Sequence, residues 1–188
     1  MSNTAERYGV TVHRAAPDAL GLVWRARDVH HLTPEENNGR RNVFLSVYGL
    51  RGEELRGQPD IRIVWGWNGQ RPDEPVAPKV LEKPPGEPMT DIPLDRGQEV
   101  WCRVEGWGLP SDTVVGLSTN HADEAKGNSR DHHSFGVVFQ LVNEAAPPTE
   151  DGGDQPHTDA PAVAGRLRQM AAELNHLAER LDGQRAMG

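Results

Sequence analysis

The sequence predicts a mainly β protein, with an antiparallel β-sandwich of about seven strands, a flexible linker and a C-terminal amphipathic helix. Two observations lead to this fold class. Short segments of alternating apolar and polar residues recur between residues 20 and 143, and turn-rich sequence separates them without any helical pattern. Beyond residue 160 the apolar spacing changes from two residues to the alternating three and four of a coiled coil.

By composition the chain begins with a polar lead-in, followed by the segment that forms the sandwich. Residues 1–18 are a polar lead-in with one possible edge strand around Tyr8 to His13, and residues 19–143 form the sandwich itself. Apolar residues at alternate positions define an inward face in each expected strand. The expected strands are Leu22 to Ala26, Val43 to Val47, Ile61 to Trp67, an extended stretch between Lys79 and Leu94, Val100 to Val104, Val115 to Leu117, and Phe135 to Leu141.

The third segment, residues 144–159, is rich in proline, glycine and acidic residues and contains no large apolar side chain. Such a segment cannot bury enough surface to offset the entropy lost on ordering, so it is predicted to be a flexible acidic linker.

A helix is predicted over residues 160–183, followed by a tail at 184–188. Asp159 can cap its start and Gly183 follows its last apolar residue. Steps of four and three alternate along its apolar seam, which consists of Val163, Leu167, Met170, Leu174, Leu177 and Leu181. We expect the seam to pair with itself or to dock onto another protein. The alternative is that the helix folds back on the sandwich as a lid.

Composition limits the classes of partner. The 188 residues carry a formal net charge of -8 and no dense cluster of lysine and arginine, which argues against nucleic acid or an anionic membrane as partner. No apolar run is long enough to span a bilayer, and the N-terminus does not have the pattern of a secretory signal, so synthesis in the cytoplasm is expected. Cys102 is the single cysteine and is expected to be buried.

Several phrases of the sequence occur in an order that resembles a known domain. They are HHLTPEENNGRRNVFLSVYG, WGWNGQRPDEPVAPKVLEKPPGEPMTDIPL, and GLPSDTVVGLSTNHADE with DHHSFGVVFQ. Over about residues 22–142 the chain resembles an immunoglobulin-like accessory domain of bacterial and phage-associated proteins, often found beside cell-wall-directed or carbohydrate-active modules. The resemblance implies an immunoglobulin-like sandwich, and it brings no catalytic residues with it.

Two histidine doublets raise the question of a metal site. Neighbouring side chains of a strand point to opposite faces, so at most one member of each doublet can serve one site. His31 and His133, joined by His121, could supply the three nitrogens that suit zinc. These spacings match no short-range metal motif, so we expect structural histidines at strand ends and no metal or other cofactor.

The five tryptophans suggest a second kind of site. Trp24 and Trp65 share the phase of apolar neighbours and are expected in the core. Trp67, Trp101 and Trp107 are candidates for an exposed platform on which sugar rings of a cell-envelope glycan could stack. The alternative is that all five tryptophans only pack against proline-rich loops.

The sequence contains no nucleophile elbow, phosphate-binding glycine loop, HExxH or paired CxxC. The expected function is therefore noncatalytic: a structural or decorating component of a phage-like particle, on the virion or particle surface. Its helix would bind a second copy or a scaffold or capsid protein, and its sandwich would face outward. The alternatives are a carbohydrate-binding module and a zinc-dependent enzyme that uses the histidines.

Overall fold

The computed structural model describes residues 1–120 and 132–145. The predicted helix and tail, the six seam residues, most of the predicted linker and His121 lie outside these ranges. Within them the protein is mainly β and forms two sheets, which confirms the predicted class. No helix in the described ranges is long and apolar enough to cross a bilayer.

The described residues form ten strands and two short helical segments. The strands are β1 (Ser2–Asn3), β2 (Thr11–His13), β3 (Leu22–His31), β4 (Asn42–Tyr48), β5 (Ile61–Trp67), β6 (Lys79–Val80), β7 (Thr90–Pro93), β8 (Glu99–Gly106), β9 (Thr113–Ser118) and β10 (Phe135–Asn143). A 3-10 turn covers Glu6–Tyr8, and the helix α1 covers Pro34–Asn37. All the strands expected from the alternating pattern are present.

The strands form a first sheet in the order β1-β3-β10-β4-β7 and a second in the order β2-β9-β8-β5-β6. The predicted alternation identifies the buried face of β4 and β8. Val43, Leu45 and Val47 of β4 are fully buried, as are Val100 and Cys102 of β8. One continuous hydrophobic core contains these residues together with side chains from both sheets.

In β9 the predicted alternation was wrong at Val115, which is partly buried while Val114 and Leu117 are buried. The reason is that the register between β8 and β9 shifts at this point.

Two strand pairs are parallel, so the expectation of a purely antiparallel sandwich was wrong. β10 is antiparallel to β3 and parallel to β4, and the short β1 is parallel to β3. β3 and β4 run in opposite directions but do not pair, because β10 is inserted between them. A strand between two opposed neighbours must be parallel to one of them.

The strand order also differs from that of a seven-stranded immunoglobulin domain. There the last strand shares a sheet with the third and sixth strands. Here β10, the last strand in the described ranges, lies beside β3 and β4, which are the first two of the seven described strands longer than three residues. The two-sheet architecture is therefore as expected, and the connectivity of a seven-stranded immunoglobulin domain is not found among these strands.

The two sheets are joined along one side by the segment that precedes β9. The Trp24 amide donates to the carbonyl oxygen of Pro110 at 2.9 Å, and the Asp112 amide donates to that of Trp24, also at 2.9 Å. These bonds satisfy backbone groups of β3 that β1 leaves without a strand partner. The backbone of β3 around Trp24 is thereby hydrogen-bonded to the segment that leads into β9 of the second sheet.

The polar lead-in belongs to the sandwich. Ala5, Tyr8 and Val10 are buried in the hydrophobic core, although the sequence around them is polar. β2 lies at the edge of the second sheet and pairs with β9, which matches the edge strand expected between Tyr8 and His13. The first 18 residues therefore contribute to the stability of the fold.

Candidate functional site

The structure separates the three tryptophans of the predicted platform. Trp67 pairs with Val100 at one end of the β5–β8 ladder, whereas Ile61 pairs with Gly106 at the other. Trp107 follows Gly106, so about six residues of strand, or roughly 20 Å, lie between Trp107 and the end that holds Trp67. One sugar ring cannot contact both.

Trp67 and Trp101 also lie on opposite faces of the second sheet, because Trp67 pairs with Val100 and Trp101 pairs with Gly66. Trp67 is partly buried and packs against the core beside Trp65, with their ring centroids 6.0 Å apart. Trp101 lies over its cross-strand partner Gly66, where an added Cβ would come within 2.9 Å of the indole ring. The glycine on β5 thus makes room for the indole of β8, and both tryptophans have a packing role.

Trp107 occupies a different environment, in the turn after β8. Its side chain is 37% exposed, and its ring centroid lies 5.5 Å from that of the fully buried Trp24. The Trp24 indole N–H donates to the carbonyl oxygen of Gly106 at 3.3 Å. Trp107 therefore has one side supported by the core and another exposed.

The backbone of Trp107 is in the left-handed region, with a φ of 55°. Bulky side chains are uncommon there, and the conformation costs about 1–2 kcal/mol relative to the right-handed region. Among the described residues, Asn38 is the other non-glycine residue with a positive φ. The neighbouring Gly108 also has a positive φ of 67°, which lets the turn reverse tightly.

Trp107 lines a cleft of about 290 Å³ at this end of the second sheet. The cleft is lined by Pro59, Asp60, Arg62, Glu105, Gly106, Trp107 and Gly108. The Arg62 Nη2 donates to Glu105 Oε1 at 2.8 Å across the β5–β8 ladder. This bond lowers the pKa of Glu105 and raises that of Arg62, so both groups remain charged near neutral pH.

The structure brings His31 and His133 together. His31 Nε2 and His133 Nδ1 are 2.7 Å apart, so one ring donates a hydrogen bond to the other, and both side chains are buried. The Tyr8 ring stacks on His31 with centroids 3.6 Å apart. Packing and a direct hydrogen bond thus hold the pair, as expected of structural histidines.

The other members of the doublets, His30 and His132, do not belong to this pair. The strand argument applies to His30 in β3, whereas His132 and His133 precede β10. His30 Nε2 lies 2.9 Å from Glu36 Oε2, and His132 is exposed. The third residue of the zinc hypothesis, His121, is outside the described residues. In residues 1–120 and 132–145, no group of three metal-binding side chains comes together. The zinc set of His31, His121 and His133 stays a prediction.

A buried network of ion pairs around Asp112 was not predicted from the sequence. Asp112 is fully buried and accepts hydrogen bonds from Arg14 Nη1 and Arg25 Nη1, both at 2.7 Å, and from the backbone amides of Ala15 and Ala26. Arg25 also binds the Glu144 carboxylate through Nε at 2.8 Å and through Nη2. All the contacts of this network lie within the sandwich, so its role is structural.

Cys102 is buried, as predicted, and burial raises the pKa of its thiol to about 12. Such a thiol stays protonated at neutral pH and is a poor nucleophile.

Of the sites described above, the Trp107 cleft is the best candidate functional site in the described part of the chain. Comparison with protein-family models, curated proteins and solved structures found no match to this chain.

Proposed function

We propose that this protein is a noncatalytic structural or decorating component of a phage-like particle. In this proposal the sandwich is displayed outward, and residues 160–183 bind a second copy or a scaffold or capsid protein. The observation that carries the proposal is the heptad seam from Val163 to Leu181, which follows a β-sandwich in the same chain.

The way the sandwich ends fits a displayed domain. Glu144 directly follows β10, and its amide donates to the carbonyl oxygen of Gly21 at 2.7 Å while its carboxylate binds Arg25. The chain therefore leaves the sandwich from a fixed point. If the C-terminal segment is attached to a scaffold, the sandwich would be held by the end of β10.

Display in many copies would make weak contacts of the sandwich effective. When several copies share one scaffold, each later binding event is intramolecular and benefits from a raised effective concentration. The resemblance to accessory domains of bacterial and phage-associated proteins supports this role. This support comes from the two-sheet architecture and not from the strand order.

The mass in solution, measured by light scattering, tests the proposal. The full chain is expected to be a defined oligomer and the chain of residues 1–146 a monomer. Leu174→Asp, which puts a charge on the seam, should dissociate the oligomer. Asn175→Asp is the matched control, since it adds the same charge one position off the seam and should leave the mass unchanged.

A full chain that is monomeric and binds no particle or scaffold protein would contradict the proposal. So would an oligomer that survives both the truncation and Leu174→Asp, because the sandwich itself would then hold the copies together.

Binding of carbohydrate is a second candidate function, and one observation favours it. Trp107 presents an exposed indole to a cleft that also holds charged hydrogen-bonding groups. This candidate needs neither the helix nor an oligomer.

A further inference from the structure

Trp107 keeps a bulky side chain where the backbone favours glycine. Its φ of 55° is unfavourable for tryptophan, and glycines flank it on both sides, at Gly106 and Gly108. Residues held in such conformations concentrate at binding and catalytic sites. Its contact with Trp24 accounts for part of the indole, yet the side chain stays 37% exposed and Trp107 lines the cleft.

The charges in the cleft indicate what kind of ligand fits. Arg62 is paired with Glu105, and Asp60 adds a second acid. An anionic ligand would face two carboxylates, and a cationic ligand would compete with Arg62 for Glu105. A neutral ligand with many hydroxyl groups avoids both conflicts, because it can donate to the carboxylates and accept from the arginine.

The size of the cleft agrees with a small ligand. A volume of about 290 Å³ lies at the lower end of the range typical of small-molecule sites. An indole on one wall and hydrogen-bonding groups on the others match a sugar ring, which has an apolar C–H face and a polar rim. We propose that the Trp107 cleft binds one neutral pyranose ring of a glycan, stacked on Trp107 and hydrogen-bonded to Arg62, Glu105 and Asp60.

This site differs from the three-tryptophan platform that the sequence predicts. It retains Trp107, omits Trp67 and Trp101, and adds the charged residues of β5 and β8. It deepens the carbohydrate-binding candidate and rests on it, and it is independent of the particle function, because a chain that fails to assemble still carries the cleft.

The experiment uses the full chain labelled with 5-fluorotryptophan, which gives one ¹⁹F signal for each of the five tryptophans. Single Trp→Phe variants assign the signals. The probes are cellotetraose and chitotetraose, titrated separately, with choline and inorganic phosphate as the cationic and anionic comparisons. We expect at least one oligosaccharide to shift the Trp107 signal in a saturable manner, while the Trp67 and Trp101 signals stay in place.

Variants separate binding from folding. Trp107→Ala and Arg62→Ala should each weaken oligosaccharide affinity about tenfold or more, as the loss of a stacking surface or a charged hydrogen bond would. Arg62→Ala leaves the contact between Trp107 and Trp24 intact, so it tests the cleft even if Trp107→Ala unfolds the turn. Leu50→Ala is the control, because it removes an exposed apolar side chain that does not line the cleft.

The proposal is overturned if neither oligosaccharide shifts the Trp107 signal at tens of millimolar. It is equally overturned if the shifts fall on Trp67 or Trp101, if choline or phosphate binds and the sugars do not, or if Arg62→Ala binds as the unaltered chain does. The oligomeric state of the same sample, measured separately, reports on the particle proposal.

Discussion

At the scale of single residues, the buried carboxylate of Asp112 joins parts of the chain that are distant in sequence. Its two oxygens accept from side chains of Arg14 and Arg25 and from two backbone amides. Removing one partner of a buried ion pair leaves the other charge without compensation, which costs more than the pair contributes. The stability of the junction between β3 and β9 therefore depends on this one side chain.

Asp112→Asn tests that dependence. The asparagine keeps the shape but loses the charge, and its amide group turns a donor toward the guanidinium groups. We expect the free energy of unfolding to fall by about 3 kcal/mol, measured by urea denaturation. Asp73→Asn is the matched control, since Asp73 is 80% exposed and its loss should change stability by less than about 0.5 kcal/mol. Equal effects of the two changes would refute a special role for Asp112.

The sequence predicted burial for residues that follow the alternation of apolar and polar side chains. It missed buried residues that depart from this alternation. Trp24 and Cys102 share the apolar phase of their strands, and both are buried as expected. Arg25 and Asp112 carry charges, which normally indicate exposure, yet both are buried because they neutralise each other across 87 residues of chain. An ion pair of this kind depends on tertiary contacts, and the alternation along one strand carries no information about them.

At the scale of elements, β9 approaches the N-terminal segment closely at Gly116. Gly116 has a φ of 85°, and a Cβ added there would overlap the carbonyl oxygen of Gly9. The backbone carbonyl cannot move aside as a flexible side chain would. The position therefore needs glycine both for its conformation and for space.

Gly116→Ala should lower the free energy of unfolding by at least about 2 kcal/mol, because it combines the cost of a left-handed alanine with the overlap. Gly52→Ala is the comparison: Gly52 has a φ of 81° but nothing within 4 Å of an added Cβ, so about 1 kcal/mol is expected. Urea denaturation measures both. If the two variants lose the same stability, the contact between Gly116 and Gly9 is not a constraint on the fold.

The short helix α1 depends on a carboxylate whose pKa is low. Glu36 accepts from the Thr33 amide and the Thr33 side chain caps Glu36 in return, which makes a capping box. Its hydrogen bond with His30, followed by that with the Thr33 amide, lowers the pKa of Glu36 to about 2 from its ordinary 4.5. The sequence carries this signal as Thr33-Pro34-Glu35-Glu36, a pattern typical of a helix start.

The sign of the pH dependence follows from the lowered pKa of Glu36. The charged form is favoured in the folded state, so its contribution to stability is complete above about pH 4.5 and is lost as the pH falls toward about 2. Glu36 is half exposed, so solvent screening keeps the effect to about 1 kcal/mol or less. Stability measured between pH 6 and pH 2 should fall less in Glu36→Gln than in the unaltered chain. Parallel curves for the two proteins would contradict this.

Pairing between strands is the part of the fold that periodicity leaves open. The alternation identified the strands from β3 to β10 and the inward faces of most of them, because burial on one side is a local property of each strand. In β9 it named Val115 where the structure buries Val114. It did not predict that β10 separates β3 from β4 and runs parallel to β4. That choice depends on which edges meet in three dimensions. For the same reason the sequence indicated Trp107 as a candidate but did not predict that Arg62 and Glu105 line the same cleft.

At the scale of the whole molecule, the folded sandwich extends past β10. Glu144 stands at the start of the predicted linker, yet its carboxylate binds Arg25 and its amide binds the carbonyl oxygen of Gly21. The hydrogen bond from Arg25 lowers the pKa of Glu144, so the group is charged near neutral pH. An ion pair and a backbone hydrogen bond therefore hold the chain to the sandwich directly after β10.

The chain of residues 1–143 should consequently melt at a lower temperature than the chain of residues 1–146, although both contain all ten described strands. Without Glu144, the buried Arg25 guanidinium keeps Asp112 but loses its second carboxylate. Glu144→Gln within residues 1–146 keeps the backbone bond to Gly21 and removes only the charge, so its melting temperature should lie between the other two. Calorimetry at low and high salt measures all three, and salt should narrow the gap between Glu144→Gln and the unaltered 1–146 chain. If the three chains melt together, the sandwich ends at Asn143 and Glu144 already belongs to the tether.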